Sequence, residues 1–360
     1  MKKRDKSVTT LADVARRAGV SPTAASFALS NGPHARKVSP QKRKLVREAA
    51  RALAYVPNQV AQALRRQHTQ TVGILFPDFY ADWAQRVMQG IDIAMDQHGY
   101  IPLITRDSWS PQRQHREILS LIGRQVDGII LVAPMSENLP LLRKVQKSGT
   151  PVLFFGETPI ERHNFSYVVW NEGQAVELAT QHLVGCGRRH IWFVNPGSFA
   201  NEHLAQSRAR ISAFEAFCEK LSQSHKLISR VIQLPSGVAA GEQIAGMLAN
   251  ERETCPDAVL ASNDLLGLQI MESLLAQGVK IPSQIALMGL CNHPISASPS
   301  ISLSSVHQPL EQMAVAAGEA MVKLIAGKEK HPLRIVFDAT ELCIRRSTGQ
   351  PGSPLTSYKL

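Results

Sequence analysis

Several polar and aromatic side chains follow short apolar runs that have the pattern of buried β-strands. Asp78 and Trp83 come after the first such run, Arg106 after the second, and Glu157 after the fourth. In open sheets of parallel strands, ligands bind at the carboxyl ends of the strands, where side chains of this kind meet. Carboxylate, guanidinium and indole groups gathered there would hold a small polar ligand. We therefore expect a ligand-binding site at this edge of a sheet.

Strands and helices alternate along the last 290 residues, and these elements must position the side chains named above. The spacing of Val87, Ile91 and Met95 is helical, and this helix lies between the first two strands. Such alternation predicts parallel sheets with helices on both faces. There are too many strands for one sheet, which predicts two doubly wound subdomains with a closable cleft between them. The predicted strands are at 72–76, 102–105, 127–132, 152–155, 191–195, 259–261 and 285–288.

The motifs of the common enzyme classes are missing from the sequence. There is no GxGxxG after a strand, no P-loop, no HExxH and no GxSxG. The 12 histidines are scattered without metal-ligand spacing, so neither a metal nor a cofactor is implied. Cys291 and His293 lie close together, but they fit the lining of a pocket better than a nucleophile and its base. The sequence argues against an enzyme.

Cysteine usage and hydropathy indicate a cytoplasmic protein. The five cysteines are odd in number and form no CxxC pair, which argues against a disulfide framework or a zinc site. No apolar run approaches the roughly 18 to 20 residues that span a bilayer. The basic start is not followed by the apolar segment of a signal peptide, which argues against a secreted sugar-binding protein.

The positive charge of the chain is concentrated in its first fifth. Residues 1–70 carry 15 Lys and Arg against 3 Asp and Glu, whereas the rest carries 25 against 26. A basic segment this concentrated indicates a polyanionic partner, because neutralising phosphates releases counterions. The alternative is a solvated basic tail, and the pattern inside the segment argues against it.

That pattern is a helix-turn-helix. Thr10 and Asp13 have the spacing of a capping box, and Gly19 supplies the left-handed residue that ends the first helix. Ser21 then caps a second helix that has Pro22 in its first turn. Two short helices joined by a tight turn can place the second helix in a major groove of DNA. The first segment is therefore predicted to bind nucleic acid in a sequence-specific manner.

Two further helices are predicted before the first strand. Ser39 and Pro40 repeat the pattern of a cap followed by proline, and the face of that third helix should close a small core through Leu45, Val46, Ala49 and Leu53. A short, basic, alanine-rich segment at 55–66 follows it. A helix of about eight residues is marginal alone in water, so DNA and a second subunit are expected to hold it.

The residues from Thr9 through Arg66 closely resemble the headpiece and hinge of the lactose/galactose repressor (LacI/GalR) family. The resemblance extends over nearly the whole chain. The matching strings are TLADVARRAGVS, SFALSNG, VSPQKRKLVREAARALAYVPNQVAQALRR and TVGILFPD in the first part, and VDGIILV, HLVGCGRRHI, SNDLLGL and IPSQIALMGL in the second.

The resemblance implies a homodimer, or a tetramer, on a pseudo-palindromic operator, with the second helix in the major groove. It also implies that paired hinge helices occupy the minor groove, where Leu64 would wedge into the central base step. The alternative for Leu64 is a helix-packing residue. The candidate DNA contacts are Thr10, Ser21, Pro22, Thr23, Ser26, Phe27, Asn31, Asn58, Ala61 and Leu64.

The chain departs from the family at its base-reading positions. Members usually carry Arg where this chain has Phe27, and long polar residues are common at Pro22 and Thr23. Arginine reads guanine through paired hydrogen bonds, whereas Phe27 can only touch a thymine methyl group or pack on the headpiece. The operator sequence is therefore not transferable from the family.

For the rest of the chain the resemblance implies a bilobed fold like that of periplasmic sugar-binding proteins, switched by a carbohydrate-like effector. Arg210, the pair Asn263 and Asp264, and Gln308 match the family's ligand contacts, and Trp83 matches an aromatic beside the sugar. Relatives usually have an Asp that grips ligand hydroxyls at Cys291, and many have Arg at Glu157. A neutral thiol does not accept two hydroxyl groups as a carboxylate does, so we expect the hydroxyls to turn toward Glu157. The candidate effector contacts are Asp78, Trp83, Arg106, Glu157, Arg210, Asn263, Cys291 and Gln308.

The sequence thus predicts a headpiece at 1–56, a hinge helix and linker at 57–70, and an effector-binding and dimerisation domain at 71–346. The expected N-lobe covers about 71–168 and 303–332, and the expected C-lobe about 169–297 and 333–346. The chain would cross between lobes near 168–171, 295–303 and 330–336, and 347–360 would be a loose tail rich in Pro, Gly and Ser. The expected function is a repressor that a small ligand switches. An activator, or a regulator that needs no effector, is the alternative.

Overall fold

The computed structural model describes residues 9–29, 33–58, 68–78, 82–156, 164–195, 205–234, 240–250, 255–329 and 332–349. The chain divides into two compact units, Met1–Thr69 and Gln70–Leu360. Residues 59–67, which make up most of the hinge helix and linker predicted at 57–70, lie outside the described residues, as does the end of the chain from 350.

The first unit contains the predicted helix-turn-helix. Its helices are α1 (Leu11–Ala18), α2 (Pro22–Leu29) and α3 (Pro40–Ala52), with a 3₁₀ turn at Pro33–Lys37. The backbone and hydroxyl of Thr10 exchange hydrogen bonds with Asp13, and Gly19 is left-handed at φ 64°, so α1 begins and ends as predicted. The hydroxyls of Ser21 and Ser39 accept from Ala24 N and Lys42 N, at the starts of α2 and α3.

The small core of this unit differs from the predicted one at a single position. Val46 and Ala49 of α3 are buried against Val14 and Ala28 of the other two helices. Leu45, however, is 51% exposed, so the prediction that it closes the core is wrong. A helix turns by about 100° per residue, so once Val46 points into the core its neighbour Leu45 is carried to the edge of that face.

The second unit is built on two six-stranded sheets. The first has the order β11-β5-β4-β3-β1-β2, and the second the order β12-β10-β9-β8-β6-β7. All described pairings are parallel except that of β12 with β10, which makes the second sheet mixed. The first sheet comprises β1 (Thr71–Phe76), β2 (Ile101–Arg106), β3 (Gly128–Val132), β4 (Val152–Phe155), β5 (Ser166–Trp170) and β11 (Arg334–Phe337). The second comprises β6 (His190–Asn195), β7 (Ile228–Gln233), β8 (Ala258–Ala261), β9 (Ala286–Cys291), β10 (Ser304–His307) and β12 (Leu342–Cys343).

The predicted crossovers between the lobes are correct at the first place and wrong at the other two. The chain leaves the first sheet after Trp170, as predicted. β10 hydrogen-bonds to β9, so 304–307 belongs to the second lobe and the second crossing comes at 308–309. β11 pairs with β5, so 334–337 belongs to the first lobe and the third crossing follows it. Four-residue strands carry too little pattern to show which sheet they join, because their partners are distant in the sequence.

Helices cover the sheets in both lobes. They are α4 (Asp82–Gln97), α5 (Pro111–Gly123), α6 (Leu139–Lys147), α7 (Glu172–Gly185), α8 (Ala205–His225), α9 (Ala240–Asn250), α10 (Asp264–Ala276) and α11 (Leu310–Ile325). In the first lobe α4 packs closely on α11. A Cβ atom on Gly90 would meet the Cβ atom of Ala314 at 2.5 Å, so this contact requires a residue without a side chain.

The beginning of the predicted loose tail is instead packed into the second lobe. Ser347 and Thr348 are 2% and 3% exposed. The hydroxyl of Ser347 donates to the carbonyl of Leu287 at 2.6 Å and accepts from Ser304 N at 2.8 Å. The prediction of a loose tail is therefore wrong for 347–349, because these small polar residues satisfy the backbone of β9 and β10.

The separate cores predict the outcome of a truncation. A chain that begins at Gln70 should remain monodisperse and keep its cooperative thermal unfolding, because the headpiece and the second unit have separate hydrophobic cores. Size-exclusion chromatography and calorimetry check this expectation. Aggregation of the truncated chain would contradict the boundary at Thr69.

Candidate functional site

The predicted DNA contacts lie on and around α2. Ser21, Pro22 and Thr23 are exposed at its start, while Ser26 is half-buried. Phe27 is half-buried and packs on the headpiece core, which favours the packing role over the thymine contact. Thr10 and Asn58 are exposed in the same unit. The remaining predicted contacts, Asn31, Ala61 and Leu64, lie outside the described residues.

The charge of the headpiece is not on α2, which contains no Lys, Arg, Asp or Glu. Exposed basic side chains lie instead on α1, on the 3₁₀ turn and on α3: Arg16, Arg17, Arg36, Lys37, Lys42, Lys44, Arg47 and Arg51. The helix α2 itself therefore offers only hydroxyl and apolar side chains.

A cavity of about 320 Å³ lies between the two sheets of the second unit. Val132 and Phe155 line it from the carboxyl ends of β3 and β4, and Cys291 lines it from the end of β9. Both lobes thus present the strand ends at which ligands bind in parallel sheets. Five of the predicted effector contacts are in the lining: Trp83, Arg210, Asn263, Cys291 and Gln308.

The other predicted effector contacts are not in the described lining. The guanidinium of Arg106 lies 4.0 Å from the carboxylate of Asp78, so these two residues pair with each other at the ends of β2 and β1. Glu157 lies outside the described residues, although Gly156 before it lines the cavity.

Arg210 is held by a carboxylate that the sequence did not reveal. Its Nε atom donates to Glu172 Oε2 at 2.6 Å, Nη1 donates to the carbonyl of Ser262, and Nη2 donates to Cys291 Sγ at 3.6 Å. Arg210 is 4% exposed and Glu172 8%. Burial raises the pKa of Glu172, and the guanidinium opposes that effect. Burial by itself would lower the pKa of Arg210, but Glu172 and Cys291 together outweigh this effect and the pKa is raised. The pair is a buried salt bridge, and Arg210 is its member that lines the cavity.

Asn263 and Asp264 have different roles at the start of α10. The side-chain oxygen of Asn263 caps the helix by accepting from Leu266 N at 2.9 Å, and the residue also lines the cavity. Asp264 accepts from His293 N, Ser296 Oγ and Ser305 Oγ at 2.6 to 2.8 Å. Its carboxylate is therefore occupied in joining α10 to the ends of β9 and β10.

Cys291 ends β9 in a left-handed backbone conformation, with φ 89°. Burial raises the pKa of its thiol to about 11, so the sulfur is neutral at physiological pH. Asn292 is also left-handed, and its side-chain oxygen accepts from Arg345 at 2.6 Å. The turn thus presents a neutral, weakly polar group to the cavity.

Two tryptophans line the cavity from the first lobe, and sequence analysis identified only one of them. Trp83 lies on α4, 6.3 Å from the ring of Phe76. Trp109 lies on a left-handed turn, and its backbone nitrogen donates to the buried carboxylate of Asp107 at 2.9 Å. Burial raises the pKa of Asp107 to about 6. A local signal for Trp109 was the sequence D-S-W after a strand, because Asp favours such turns.

Arg86 is a second cation of the lining that sequence analysis missed. Its Nε and Nη2 atoms donate to the two carboxylate oxygens of Glu311 at 2.6 and 2.8 Å. This paired geometry is the strong form of the interaction, and it lowers the pKa of Glu311. The contact joins α4 to α11, which begins just after the second crossing between the lobes.

Comparison with known protein families identifies both units. The model for bacterial regulatory proteins of the lacI family matches residues 10–58, and the model for a periplasmic binding protein-like domain matches residues 180–348. The chain belongs to the LacI family. The family membership, the helix-turn-helix and the bilobed α/β fold that the sequence indicated are thereby confirmed.

Relatives in the LacI family match over nearly the whole chain. The HTH-type transcriptional regulator PtxS of Pseudomonas putida is 27% identical over 339 residues, which cover 94% of this chain and 96% of that protein. The fold is that of the lac repressor dimer bound to operator and the anti-inducer ONPF, with a TM-score of 0.82, 20% identity and coverage of 95% and 99%. The CelR–cellobiose complex has a TM-score of 0.66, 23% identity and coverage of 94% and 99%.

These relatives settle the class of protein. The curated relatives are named as transcriptional regulators, repressors or control proteins, so this LacI family member is a transcriptional regulator and not an enzyme. Within the described part of the chain, no helix is both long enough and apolar enough to cross a membrane. Among the same residues, no group of three or more His, Cys, Asp or Glu side chains has the arrangement of a metal site.

Proposed function

We propose that this regulator is a cytoplasmic, dimeric repressor that binds a pseudo-palindromic operator and releases it when a small carbohydrate-like ligand closes the cavity. The observation that carries the proposal is that one chain combines a basic helix-turn-helix with a cavity lined from two lobes. A ligand held by both lobes stabilises their closed arrangement, and its differential affinity shifts the population. A coupling of about 1 to 3 kcal/mol is enough for a switch.

The hinge segment is the proposed link between cavity and DNA. Closure would change the spacing of the two hinge segments in a dimer, and their short helices would then separate and melt, because they are marginal without pairing. Leu64 would be the wedge in the minor groove, and Ala61 and Asn58 would lie beside it.

Two features support a dimer. β2 is an edge strand of the first sheet, and its Ile101 and Ile104 are 64% and 38% exposed. Exposed apolar groups on an edge strand favour association with a second chain. The similar lac repressor structure is a dimer bound to operator.

The ligand class follows from the lining and from the relatives. Trp83 and Trp109 offer aromatic faces, while Arg210, Asn263 and Gln308 offer polar groups. This mixture of a mainly apolar wall with a few polar groups is typical of small-molecule sites. The related CelR structure is a complex with cellobiose.

Footprinting with and without ligand tests the switch. First, a thermal-shift screen of the full chain against sugars, sugar acids, sugar phosphates and nucleosides identifies a ligand, since a ligand at 100 times its Kd adds about 2.7 kcal/mol of stability. Protection of an operator selected from random sequences should then be lost on adding that ligand. Identical protection with and without it would contradict the proposal.

The Leu64→Ala variant tests the wedge, with the exposed Leu45→Ala as its matched control. Leu64→Ala should weaken binding to the selected operator far more than binding to random duplex. A side chain inserted between base pairs stabilises the complex only where the base step kinks easily. Leu45→Ala should change neither. Equal losses on both DNAs would assign Leu64 a structural role instead.

A further inference from the structure

We propose that Glu172 makes the interlobe cavity selective for neutral polyhydroxylated ligands and excludes their carboxylate and phosphate derivatives. The inference rests on the proposed function, because it specifies the chemical class of that effector and assigns the selectivity to one residue.

The buried cation that lines the cavity is already neutralised. Arg210 donates to Glu172 at 2.6 Å, and its other two nitrogens contact the carbonyl of Ser262 and the sulfur of Cys291. Glu172 is 8% exposed, so water does not screen its charge. An anion that bound Arg210 would lie beside this carboxylate, and two like charges in a buried site repel strongly.

The rest of the described lining adds no excess of positive charge. Arg86 is paired with both oxygens of Glu311, and Asp264 brings a further carboxylate to the wall. Among the described residues of the lining and their ion-pair partners, two guanidinium groups therefore face three carboxylates. An added carboxylate or phosphate would meet no excess of positive charge there.

A neutral sugar fits the groups that remain. Its hydroxyl oxygens can accept hydrogen bonds from the remaining N–H groups of Arg210 and from the side-chain amide of Asn263. Trp83 and Trp109 provide apolar faces for the C–H groups of a sugar ring. The volume of about 320 Å³ suits a mono- or disaccharide.

Matched ligands that differ only in charge test the proposal. The probes are glucose, galactose, ribose and cellobiose, each compared with its acid and its phosphate ester, and binding to the full chain is measured by calorimetry. The neutral member should bind at least about 100-fold more tightly than its acid, as expected for two buried like charges. Glu172→Gln should reduce this ratio at least about 10-fold by raising the affinity for the acid. The amide oxygen still accepts a hydrogen bond from Arg210, while the negative charge is gone.

Two further variants keep the result interpretable. Glu177→Gln makes the same substitution at an exposed site of α7 and should leave the ratio unchanged. Glu172→Asp keeps the charge and should retain the selectivity. Thermal unfolding of each variant reports whether it is folded.

The outcomes separate this proposal from the proposed function. An acid or phosphate that binds the unsubstituted protein as tightly as the neutral sugar would overturn the role of Glu172 and leave the carbohydrate switch standing. Equal ratios in Glu172→Gln and Glu177→Gln would overturn it as well. If no probe of either charge binds, the carbohydrate effector fails and the selectivity falls with it.

Discussion

Replacing Arg210 with alanine is expected to lower the free energy of unfolding of the second unit by about 3 to 5 kcal/mol and to abolish the ligand response. The substitution leaves Glu172 buried and without its cation, and it also removes the donors to Ser262 and Cys291. Operator binding by the headpiece should persist, because the headpiece is a separate compact unit.

Denaturation followed by tryptophan fluorescence measures this loss directly. The four tryptophans, Trp83, Trp109, Trp170 and Trp192, are all in the second unit, so the signal reports on that unit alone. Lys220→Ala on the exposed face of the same helix is the control and should change stability by less than about 0.5 kcal/mol.

The double variant Glu172→Leu with Arg210→Met sharpens the interpretation. Removing both charges should recover most of the lost stability, because apolar residues of similar volume often replace a buried ion pair without loss. It should not recover the ligand response. A loss below about 1 kcal/mol in Arg210→Ala would contradict a buried pair, since that is the range of exposed salt bridges.

Binding to random-sequence duplex DNA is expected to fall by about 10³- to 10⁵-fold between 50 and 200 mM salt. The reason is the distribution of charge: α2 carries none, and the exposed Lys and Arg side chains lie on α1, the 3₁₀ turn and α3. Affinity should therefore come mainly from phosphate contacts, each of which contributes about −0.9 to the slope of log K against log salt.

Fluorescence anisotropy across a salt series gives that slope. Single replacements of Arg17 or Arg47 by alanine should each make it shallower by about 1, if that side chain contacts a phosphate. Lys220→Ala, in the second unit, should leave the slope unchanged. A slope for the unsubstituted protein shallower than about −3 would contradict a backbone-dominated interface.

Interactions between near neighbours in the chain were predictable from the sequence. The capping box of Thr10 and Asp13, the left-handed Gly19 and the cap at Ser39 were predicted, and each joins residues within a few positions. Long apolar strands such as Thr71–Phe76 were predicted for the same reason, since their pattern is contained in their own residues. The charge of the first 70 residues, and the family to which the motifs point, also needed no coordinates.

Interactions between distant segments required the tertiary structure. Glu172 and Arg210 are 38 positions apart in the sequence, and Arg86 and Glu311 are 225 apart, so sequence spacing predicts neither pair. The short strands β10 and β11 joined the opposite lobes from those predicted, because a strand of four residues takes its sheet from its partners. The sequence therefore determined the parts and the class of this regulator. Only the fold decided which charges meet in its cavity, because burial and pairing depend on residues that folding brings together.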